Sequence, residues 1–577
     1  MIATYRAPRP GLAPVVPFLL LFVLVFAACG EGGGSGSAAT AAFCGPALEA
    51  VEAYQAQLDR GVGTRGPPPW YGGSVVVGGL GDFSDGMNAF VSADHVANQH
   101  QIFGHLMTLI RFDETLTPVP WLAESWDVSE DRTTLTFTLR DDVRWHDGEP
   151  TDAEDVVFTF ERASDPETGF PNAAFWDHYT GVEMIDSLTV RFTMEPHADF
   201  IDPWRTMPIM PEHLLGDVPP SELKRHPFGS QCPVGNGPFV FVSHRPQESW
   251  TFAANHDFPE ELGGRPFVDR YVYRVVPEPT TLLTDLLTEN LDVYVAPPAD
   301  QAAQIRAAED LVLGAFEFRE FDFVAWNSRR PQLADPRVRR ALTVGTNRAE
   351  IVDALLAGYG QVANSPVPPF HWAHDPSLDQ VDGYDPDEAA RLLDEAGWVD
   401  RDGDGVRESP DGVRLSIEIK FNEGNQQRQD VAEIMQAQLA QVGVEIRPVV
   451  VEWTTLVETI TETRDFDGVI LGWVTEFKVD DTDLFASHRS EGPYAFSGTR
   501  NPEIDRLLDT LQKIPDRTAA LPLWHEYQRV LNAEQPYTFL YYRDRLVGVN
   551  KRLRGVRMDP RGEWVSLHEW WIDPLDR

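Results

Sequence analysis

Segments in which apolar and polar side chains alternate are interleaved along this chain with segments of helical periodicity. The stretches Thr134–Leu139, Val268–Val276 and Val413–Phe421 alternate with period two, as half-buried β-strands do. Pro386–Ala396 has apolar residues at helical spacing behind a capping aspartate, and Thr280–Val295 also reads as a helix. Strands and helices in alternation favour a mixed α/β fold with βαβ units.

Chain length and net charge limit the class of protein further. A chain of 577 residues is longer than one hydrophobic core usually supports, so we expect two or more lobes. The formal net charge is −42, and no run of lysine and arginine offsets it locally. Such a surface repels phosphate backbones and anionic lipids, which argues against a nucleic-acid partner and against direct binding to a membrane surface.

The N-terminus has the features of an export signal. Residues 1–28 contain two early arginines and the unbroken apolar run Phe18–Ala28, which is too short to span a bilayer core of about 30 Å as a helix. The sequence that ends at Cys29 resembles a bacterial lipobox, in which the cysteine becomes the lipidated first residue. Ordinary signal cleavage is the alternative. The glycine-rich segment Gly30–Thr40 that follows predicts a flexible tether.

Two further cysteines, Cys44 and Cys232, remain in the exported part. An even number of cysteines in an oxidising compartment favours a disulfide, and two separate thiols are the alternative. A disulfide would join the short helical segment Pro46–Leu58, within the extension 29–73, to the loop before Pro233.

Several ordered segments resemble the solute-binding proteins of ABC importers that belong to family 5, the oligopeptide, dipeptide and nickel-binding type. The most recognisable is VPWLAESWDVSEDRTTLTFTLRDDVRWHDGEPTDAEDVVFTFERA. The other matching segments are Pro233–Phe258, Phe321–Gly360, the acidic loop 397–412 with its flanking helix and strand, Leu471–Phe485 and the C-terminal PYTFLYYRDRLVGVNKRLRGV. Together they cover the chain from about Ser74 to its end.

The resemblance implies a type II periplasmic-binding-protein fold, an α/β fold of two lobes joined by a hinge, in its large three-domain variant. Residues 1–28 would be a lipoprotein signal peptide, and 29–73 a tether with a helical extension. The first lobe would comprise 74–321 and 539–577, with an extra domain inserted at about 100–225. The second lobe would comprise 322–538.

The same resemblance implies a ligand site between the lobes. In peptide binders of the family, an acidic residue in a segment like Gly-Trp-x-x-Asp-Tyr meets the ligand's ammonium group. Here that segment is GWVTEF, so Glu476 has the matching position, and a carboxylate in a closed cleft binds an ammonium group strongly. The other candidate ligand-binding residues are Trp473, Phe477, Asn327, Trp326, Asn236, Trp372, Ser92 and Asp94.

The expected function is therefore capture of a peptide or peptide-like solute outside the cytoplasm and its delivery to an ABC permease. The expected location is the periplasm or cell surface, with the membrane reached through a lipid anchor. An oligosaccharide, a metal chelate or an opine-like solute is the alternative ligand. Departures from the family pattern, such as Gly345-Thr346-Asn347-Arg348 where Ala-hydrophobic-Asp-Arg is usual, weaken any assignment of the substrate class.

The chain contains no catalytic motif of the kinds Gly-x-Ser-x-Gly, His-Glu-x-x-His or P-loop. We therefore expect a receptor rather than an enzyme, with no required cofactor. The out-of-class alternative is a secreted, calcium-supported enzyme that acts on glycans.

The loop GWVDRDGDGVRESPDG predicts a structural calcium site. Its carboxylates and one carbonyl fit the ligand positions of an EF-hand loop, although a strand rather than a helix follows it. Two tight turns without a metal are the alternative, because Asp-Gly and Pro-Asp-Gly sequences form turns readily. The candidate ligands are Asp400, Asp402, Asp404, Val406, Glu408 and Asp411.

Overall fold

The computed structural model describes residues 34–58, 69–83, 85–92, 94–381, 383–475, 477 and 480–576. Its strands are β1 Ser74–Gly79, β2 Ile110–Phe112, β3 Pro118–Pro120, β4 Ala123–Val128, β5 Thr134–Leu139, β6 Tyr179–Asp186, β7 Thr189–Met194, β8 Phe239–Arg245, β9 Ser249–Ala254, β10 Arg270–Val275, β11 Val293–Val295, β12 Leu311–Trp326, β13 Gly360–Val362, β14 Ser416–Asn422, β15 Glu445–Val451, β16 Gly468–Val474, β17 Tyr537–Asn550, β18 Leu553–Arg554 and β19 Trp571–Ile572.

Apart from α1, which precedes β1, the α-helices of the described residues alternate with these strands along the chain. They are α1 Gly34–Leu58, α2 His95–His100, α3 Ala153–Ser164, α4 Pro203–Thr206, α5 Glu212–Leu215, α6 Phe228–Gln231, α7 Pro279–Leu287, α8 Ala302–Ala307, α9 Pro336–Val344, α10 Arg348–Leu356, α11 Pro386–Glu395, α12 Gln426–Ala440, α13 Trp453–Glu458, α14 Thr482–Phe485, α15 Pro502–Leu511 and α16 Arg517–Glu534.

One large mixed sheet runs through both lobes, in the order β15-β14-β16-β12-β17-β11-β1-β10-β9-β8. Its two halves meet at the long strands β12 and β17, which pair antiparallel from Leu311 opposite Asn550 to Ala325 opposite Tyr537. The parallel pairs β1–β10 and β14–β15 lie one in each half. This arrangement confirms the mixed α/β fold of two lobes. The lobe boundaries expected after residues 321 and 538 fall inside these two long strands.

A separate antiparallel sheet in the order β4-β5-β7-β6 lies beside the first half of the large sheet. It has its own aromatic core, because alternate residues of β5 and β7 point the same way in the pleat. The ring of Phe192 packs at a centroid distance of 4.6 Å from Trp204, and Phe137 lies 5.9 Å from the same indole. The segment between Ala123 and Trp204 therefore forms a compact layer of its own.

The helices of the second lobe follow the predicted pattern closely. Helix α11 begins after Asp385, whose side chain accepts a hydrogen bond from the backbone N–H of Glu388 at 2.9 Å. Its apolar stripe, Ala389, Leu392 and Leu393, is buried in the core of the second lobe, where α11 packs against α9. Capping satisfies a donor that the first turn of a helix otherwise leaves unpaired.

Two predicted elements differ in the structure. The helix expected over Thr280–Val295 ends at Leu287, and its last residues form β11. Glu289 adopts a positive φ of 62°, which breaks the helix, and the alternation of Val293 and Val295 then suits a strand. Helix α1 begins at Gly34, so part of the glycine-rich segment expected to be a flexible tether is helical.

A disulfide joins Cys44 of α1 to Cys232 after α6, across 188 positions of sequence. It fastens the N-terminal helix to the first lobe, next to the start of β8. Within the described ranges, no helix is long and apolar enough to cross a membrane.

We predict that the variant C44S/C232S is less stable than the wild type by about 2–4 kcal/mol, since a cross-link over a long loop restricts the unfolded chain. Chemical unfolding of both proteins measures the difference. A reductant should lower the stability of the wild type and leave the variant unchanged. An equal effect of reductant on both proteins would contradict the role of this bond.

Candidate functional site

The two lobes meet on one side of the long strands, where loops of both approach each other. The backbone N–H of Ala198, in the first lobe, donates to the carbonyl of Gln512 in the second lobe at 2.7 Å. The guanidinium of Arg517, at the start of α16, donates to the carbonyl of Leu116 at 2.5 Å. These contacts describe a closed arrangement of the lobes.

Two phenylalanines form the centre of this interface. Phe112 at the end of β2 meets Phe477 of the second lobe edge to face, with ring centroids 5.9 Å apart. The guanidinium carbon of Arg205 lies 5.0 Å from the first ring centroid and 4.7 Å from the second. Arg319 of β12 approaches the ring of Phe477 at 4.7 Å. Aromatic faces attract cations at these distances, so both arginines help to hold the Phe477 ring.

A buried histidine fixes the backbone of the loop that contains Phe477. The Nδ1 atom of His371 accepts a hydrogen bond from the N–H of Ala373 at 3.1 Å. Its Nε2 must therefore carry the proton, and it donates to the carbonyl of Phe477 at 2.6 Å. Burial lowers the pKa of His371 to about 4, so the ring stays neutral at physiological pH and its Nδ1 keeps accepting from Ala373.

A cavity of about 320 Å³ lies beside the phenylalanine pair. Residues of both lobes line it. Among the described residues, three carboxylates line it, those of Asp199, Asp202 and Asp480, together with Arg517. The apolar part of its lining includes Phe112, Phe200, Phe477, Trp372 and Trp524. A cavity of this size with mostly apolar walls and a few charged groups is typical of a small-molecule site.

Arg517 is the main cation of this cavity. Its guanidinium carbon lies 5.2 Å from the ring centroid of Trp372. Burial lowers the pKa of Arg517, while the charges of Asp202, Asp113 and Asp199 raise it. The acidic groups of the first lobe therefore attract an arginine of the second lobe across the interface.

A smaller cavity of about 20 Å³ is also lined by Phe112 and Phe477. Its charged lining residues, among those that the structure describes, are arginines. Its lining residues are Gln99, Ile102, Phe103, Arg111, Phe112, Arg205, Phe477 and Arg561. Phe112 and Phe477 thus line both cavities.

A charged cluster supports the interface close to the long strands. Glu563 lies 3.4 Å from Arg545 of β17 and 3.6 Å from His95 at the start of α2. Burial alone would raise the pKa of Glu563, but His95 and Arg545 lower it to about 2. The guanidinium carbon of Arg545 also lies 4.2 Å from the ring centroid of Phe318. The carboxylate therefore stays charged and ties α2 to the long strands.

Two of the predicted ligand-binding residues, Phe477 and Trp372, line the larger cavity. Trp473 of β16 is half-buried, with its ring centroid 5.5 Å from that of Tyr494, and is not among the lining residues of either cavity. Glu476 lies outside the described residues, and so does Cys29. Glu476 directly precedes Phe477 in the sequence, and this position alone relates it to the interface.

Three other predicted ligand-binding residues are buried, and their polar groups form hydrogen bonds within the protein. Trp326 is fully buried, and its indole N–H donates to Thr538 at 2.9 Å. The amide of Asn327 donates to the carbonyls of Arg464 and Phe466 at 3.1 and 2.9 Å. The side-chain oxygen of Asn236 accepts from the backbone N–H of Met107 at 2.8 Å. Their polar groups hold loops and strands together and line neither cavity.

The segment with Ser92 and Asp94 is a turn followed by a helix, and does not offer an extended edge to a ligand. Asp94 caps α2 by accepting from the N–H groups of Val96 and Ala97 at 2.8 and 3.1 Å. Ser92 is buried, and among the described residues its hydroxyl has no hydrogen-bond partner. Helix capping is therefore the observed role of Asp94.

Several residues of the site were missed by the sequence interpretation. No recognisable motif contains the five charged residues Arg205, Arg319, Arg517, Asp199 and Asp202. The segment that contains Phe112 ends just before the most recognisable family match. No spacing in the sequence indicates that these residues converge, because they come from loops that only the fold brings together.

The acidic loop brings four of its predicted calcium ligands together. Carboxylate oxygens of Asp400, Asp402, Asp404 and Glu408 lie within 4.8 Å of one another. Backbone N–H groups of the loop already donate to them; those of Gly403 and Gly405, for example, bond Asp400 at 2.7 and 3.0 Å. Arg414 forms an ion pair with Asp404 and lowers its pKa.

The loop geometry therefore fits both a cation site and a metal-free turn. Of the remaining candidates, Val406 donates its N–H to Asp404 at 3.0 Å, and Asp411 lies outside the group of four carboxylates. The calcium site stays a prediction.

If calcium binds here, micromolar calcium should raise the melting temperature of the chelator-treated protein, because it neutralises carboxylates that repel one another. The variant D402N should lose this response, while D411N should keep it. Thermal melts in calcium-buffered and magnesium-buffered solutions make the comparison. An unchanged melting temperature in calcium would contradict the site and favour metal-free turns.

Two lobes joined by long strands, with a cavity that both lobes line, define the class of solute-binding receptors that enclose a ligand between lobes. Comparison with known families agrees with this class. The profile of the family described as "Bacterial extracellular solute-binding proteins, family 5 Middle" matches residues 117–494. The chain belongs to this family, as its sequence segments predict.

Comparison with individual proteins shows the same relationship over most of the chain. The Oligopeptide-binding protein AppA of Bacillus subtilis is 28% identical over 516 residues, which cover 87% of this chain and 92% of AppA. Heme-binding protein A of Haemophilus influenzae is 26% identical, with coverages of 81% and 86%.

Solved structures give the same result at the level of the fold. The structure of Bacillus subtilis AppA in complex with a nonapeptide has a TM-score of 0.74 at 28% identity and covers 88% of this chain and 100% of that one. The structure of NikZ from Campylobacter jejuni in complex with Ni(L-His) has a TM-score of 0.73 at 25% identity, with coverages of 86% and 99%.

Proposed function

We propose that this protein captures a peptide or peptide-like solute between its lobes and delivers it to an ABC permease in the membrane. The observation that carries this proposal is the cavity of about 320 Å³ between the lobes, lined by residues of both and by Phe477. Family membership and the similarity to AppA, which is named as an oligopeptide-binding protein, support it. A lipid anchor at Cys29 would keep the receptor close to the permease.

The charges around the cavity suit the amino end of a peptide. Asp199, Asp202 and Asp480 provide carboxylates in an enclosed and largely aromatic space. Glu476 precedes Phe477, so we assign it the contact with the ligand's ammonium group. A charge-assisted hydrogen bond is about twice as strong as a neutral one, and its value increases where water is excluded.

The aromatic walls suit side chains of varied size. Trp372, Phe200 and Trp524 present flat apolar surfaces, which bind rings and aliphatic chains without a fixed hydrogen-bond pattern. A receptor that accepts several peptides needs such tolerance at its side-chain positions, whereas the peptide termini provide the constant charges.

A metal chelate or a heme-like solute is the second candidate ligand class. It is supported by the similarity to Heme-binding protein A and to NikZ with its nickel complex. Mass spectrometry of small molecules released from the purified protein by mild denaturation distinguishes the candidates. Recovered peptides support the main proposal, and a recovered chelate, tetrapyrrole or sugar would replace it.

We also propose that the protein is a receptor without catalytic activity. Incubation with a panel of peptides and oligosaccharides, with and without calcium, tests this proposal. The expected result is stoichiometric binding and unchanged compounds. Cleavage of any panel member by the purified protein would favour a secreted enzyme that acts on peptides or glycans.

We predict that E476A weakens the binding of peptides with a free amino terminus by roughly tenfold or more, since a hydrogen bond between charged groups contributes about 1.5–3 kcal/mol. Peptides with an acetylated amino terminus should bind the wild type and E476A equally. Isothermal titration calorimetry with matched free and acetylated peptides measures both effects.

The control for this prediction is E462A, which removes an exposed glutamate of the same lobe. It should bind both kinds of peptide as the wild type does. If E476A and E462A show the same affinity for free peptides, Glu476 has no role in binding the ammonium group.

A further inference from the structure

The first part of helix α1 is fixed to the segment that leads into β8 of the large sheet. The disulfide joins Cys44 to Cys232, and their α-carbons are 5.4 Å apart. The ring of Phe43 packs edge to face against His226, with ring centroids 4.4 Å apart. A covalent bond and an aromatic contact thus hold two adjacent residues of α1 on the same short segment of the first lobe.

The middle of α1 packs against a different part of the first lobe, the separate layer of residues 123–204 that contains β4 to β7, here named the inserted layer. Phe43, Ala47 and Val51 recur every four residues, so they lie on one face of the helix. They belong to the same apolar cluster as Val143 and Trp145, which lie in the loop after β5. This face of α1 therefore shares its core with the inserted layer.

Near the end of α1, Tyr54 contacts both parts of the first lobe. Its hydroxyl donates at 2.5 Å to Asp257, which follows β9 of the large sheet. Its ring lies so close to Gly148 of the inserted layer that a β-carbon on this glycine would be 2.8 Å from it. Burial and the hydrogen bond to Asp257 raise the pKa of Tyr54 to about 12, so the hydroxyl keeps its proton at physiological pH. The next residue, Gln55, donates to the carbonyl of His146 at 3.3 Å.

The inserted layer also supplies a wall of the larger cavity. Residues 198–202 line that cavity, and the backbone N–H of Ala198 donates to the second lobe. The loop that α1 covers is tied to the same side of the layer. The indole of Trp145 donates to Asp155 at 2.9 Å, and this carboxylate also accepts from the N–H of Glu212 at 2.9 Å. The position of the inserted layer relative to the large sheet therefore sets the position of the wall that the second lobe meets.

The inserted layer has a further attachment close to α1, at His146. The backbone N–H of His146 donates to the carbonyl of Gly235 at 2.7 Å, and its Nε2 lies 3.0 Å from the carbonyl oxygen of Gly237. If His146 alone fixes the layer, α1 contributes stability and no positioning. The contacts of Tyr54 differ from those of His146 because they reach Asp257, at the far end of β9 from the turn between β8 and β9.

We propose that α1 is a positioning element, which holds the inserted layer against the large sheet and so keeps residues 198–202 where the second lobe closes on them. Tyr54 joins the two parts, through Gly148 on one side and Asp257 on the other. The match to the family profile begins at residue 117, so α1 lies outside the part of the chain that the profile covers. The inference goes beyond the proposed function and does not depend on the identity of the solute.

Hydrogen exchange of the ligand-free protein, measured far below its melting temperature, tests this role. Y54A removes both contacts of the side chain. We expect several-fold faster exchange in residues 143–150 and 198–212, because amides exchange when the segment that contains them opens locally. Helix α12 of the second lobe should exchange as in the wild type. Faster exchange confined to α1, or an equal increase in α12, would overturn the proposal.

Further variants separate the contacts and keep the test valid if Y54A folds poorly. Y54F keeps the ring on Gly148 and loses the hydrogen bond to Asp257, so its increase should be smaller. C44S/C232S releases the first part of the helix and should speed exchange in the same two segments. The control E52A removes an exposed side chain of the same helix and should exchange as the wild type does. Unchanged exchange of both segments in Y54F and in C44S/C232S would mean that His146 alone fixes the layer, and would overturn the proposal.

A distance measurement distinguishes positioning from stability. Spin labels are attached through an unnatural amino acid, which leaves the cysteines untouched, in place of the exposed Met184 of the inserted layer and the exposed Leu287 at the end of α7. Pulsed electron paramagnetic resonance should give one narrow distance distribution for the otherwise wild-type protein and for E52A. Y54A and C44S/C232S should give a broader or displaced distribution. The wild-type distribution in both variants would overturn the positioning role, even if both melt at a lower temperature.

Discussion

The antiparallel pairing of β12 with β17 is the constraint on which both lobes depend. Each strand contributes to both halves of the large sheet, so neither lobe can be completed without the other. The register shifts between Glu317 and Phe321, where a bulge lets a strand pair bend. Just before the shift, Glu317 lies directly opposite Asp544, and burial together with the charge of Glu317 raises the pKa of Asp544. Like charges opposite each other weaken a strand pair, so the pairing of β12 with β17 is weakened beside this bulge.

The interface beside these strands is organised by charge as much as by apolar contact. Phe112 from one lobe and Phe477 from the other form its centre, with acidic residues lining one of the two cavities beside them and arginines the other. Because the guanidinium of Arg205 lies against both rings, the position of each ring depends on the other lobe. A solute that carries charges of both signs is complementary to such an arrangement, whereas a neutral solute would leave charges in an enclosed space without partners.

Local patterns in the sequence predicted most of the architecture and little of the site. The capped helix α11 and strand β5 were predicted correctly because capping and alternation depend on neighbours in the chain. The resemblance of ordered segments predicted the family. Trp326 and Asn327 were assigned to the cleft, but their burial depends on helices and loops far away in sequence. The three arginines of the small cavity come from separate segments, which only the completed fold brings together.

The disulfide between Cys44 and Cys232 has a mechanical consequence. It joins α1, the first described element of the chain, directly to the lobe that contains β8. Force applied through the N-terminus therefore enters the first lobe through a covalent bond and does not pass through the contacts between the lobes. The first lobe is therefore linked to the N-terminal helix directly, whereas the second lobe, which contains Phe477 and Arg517, is linked to it only through the first.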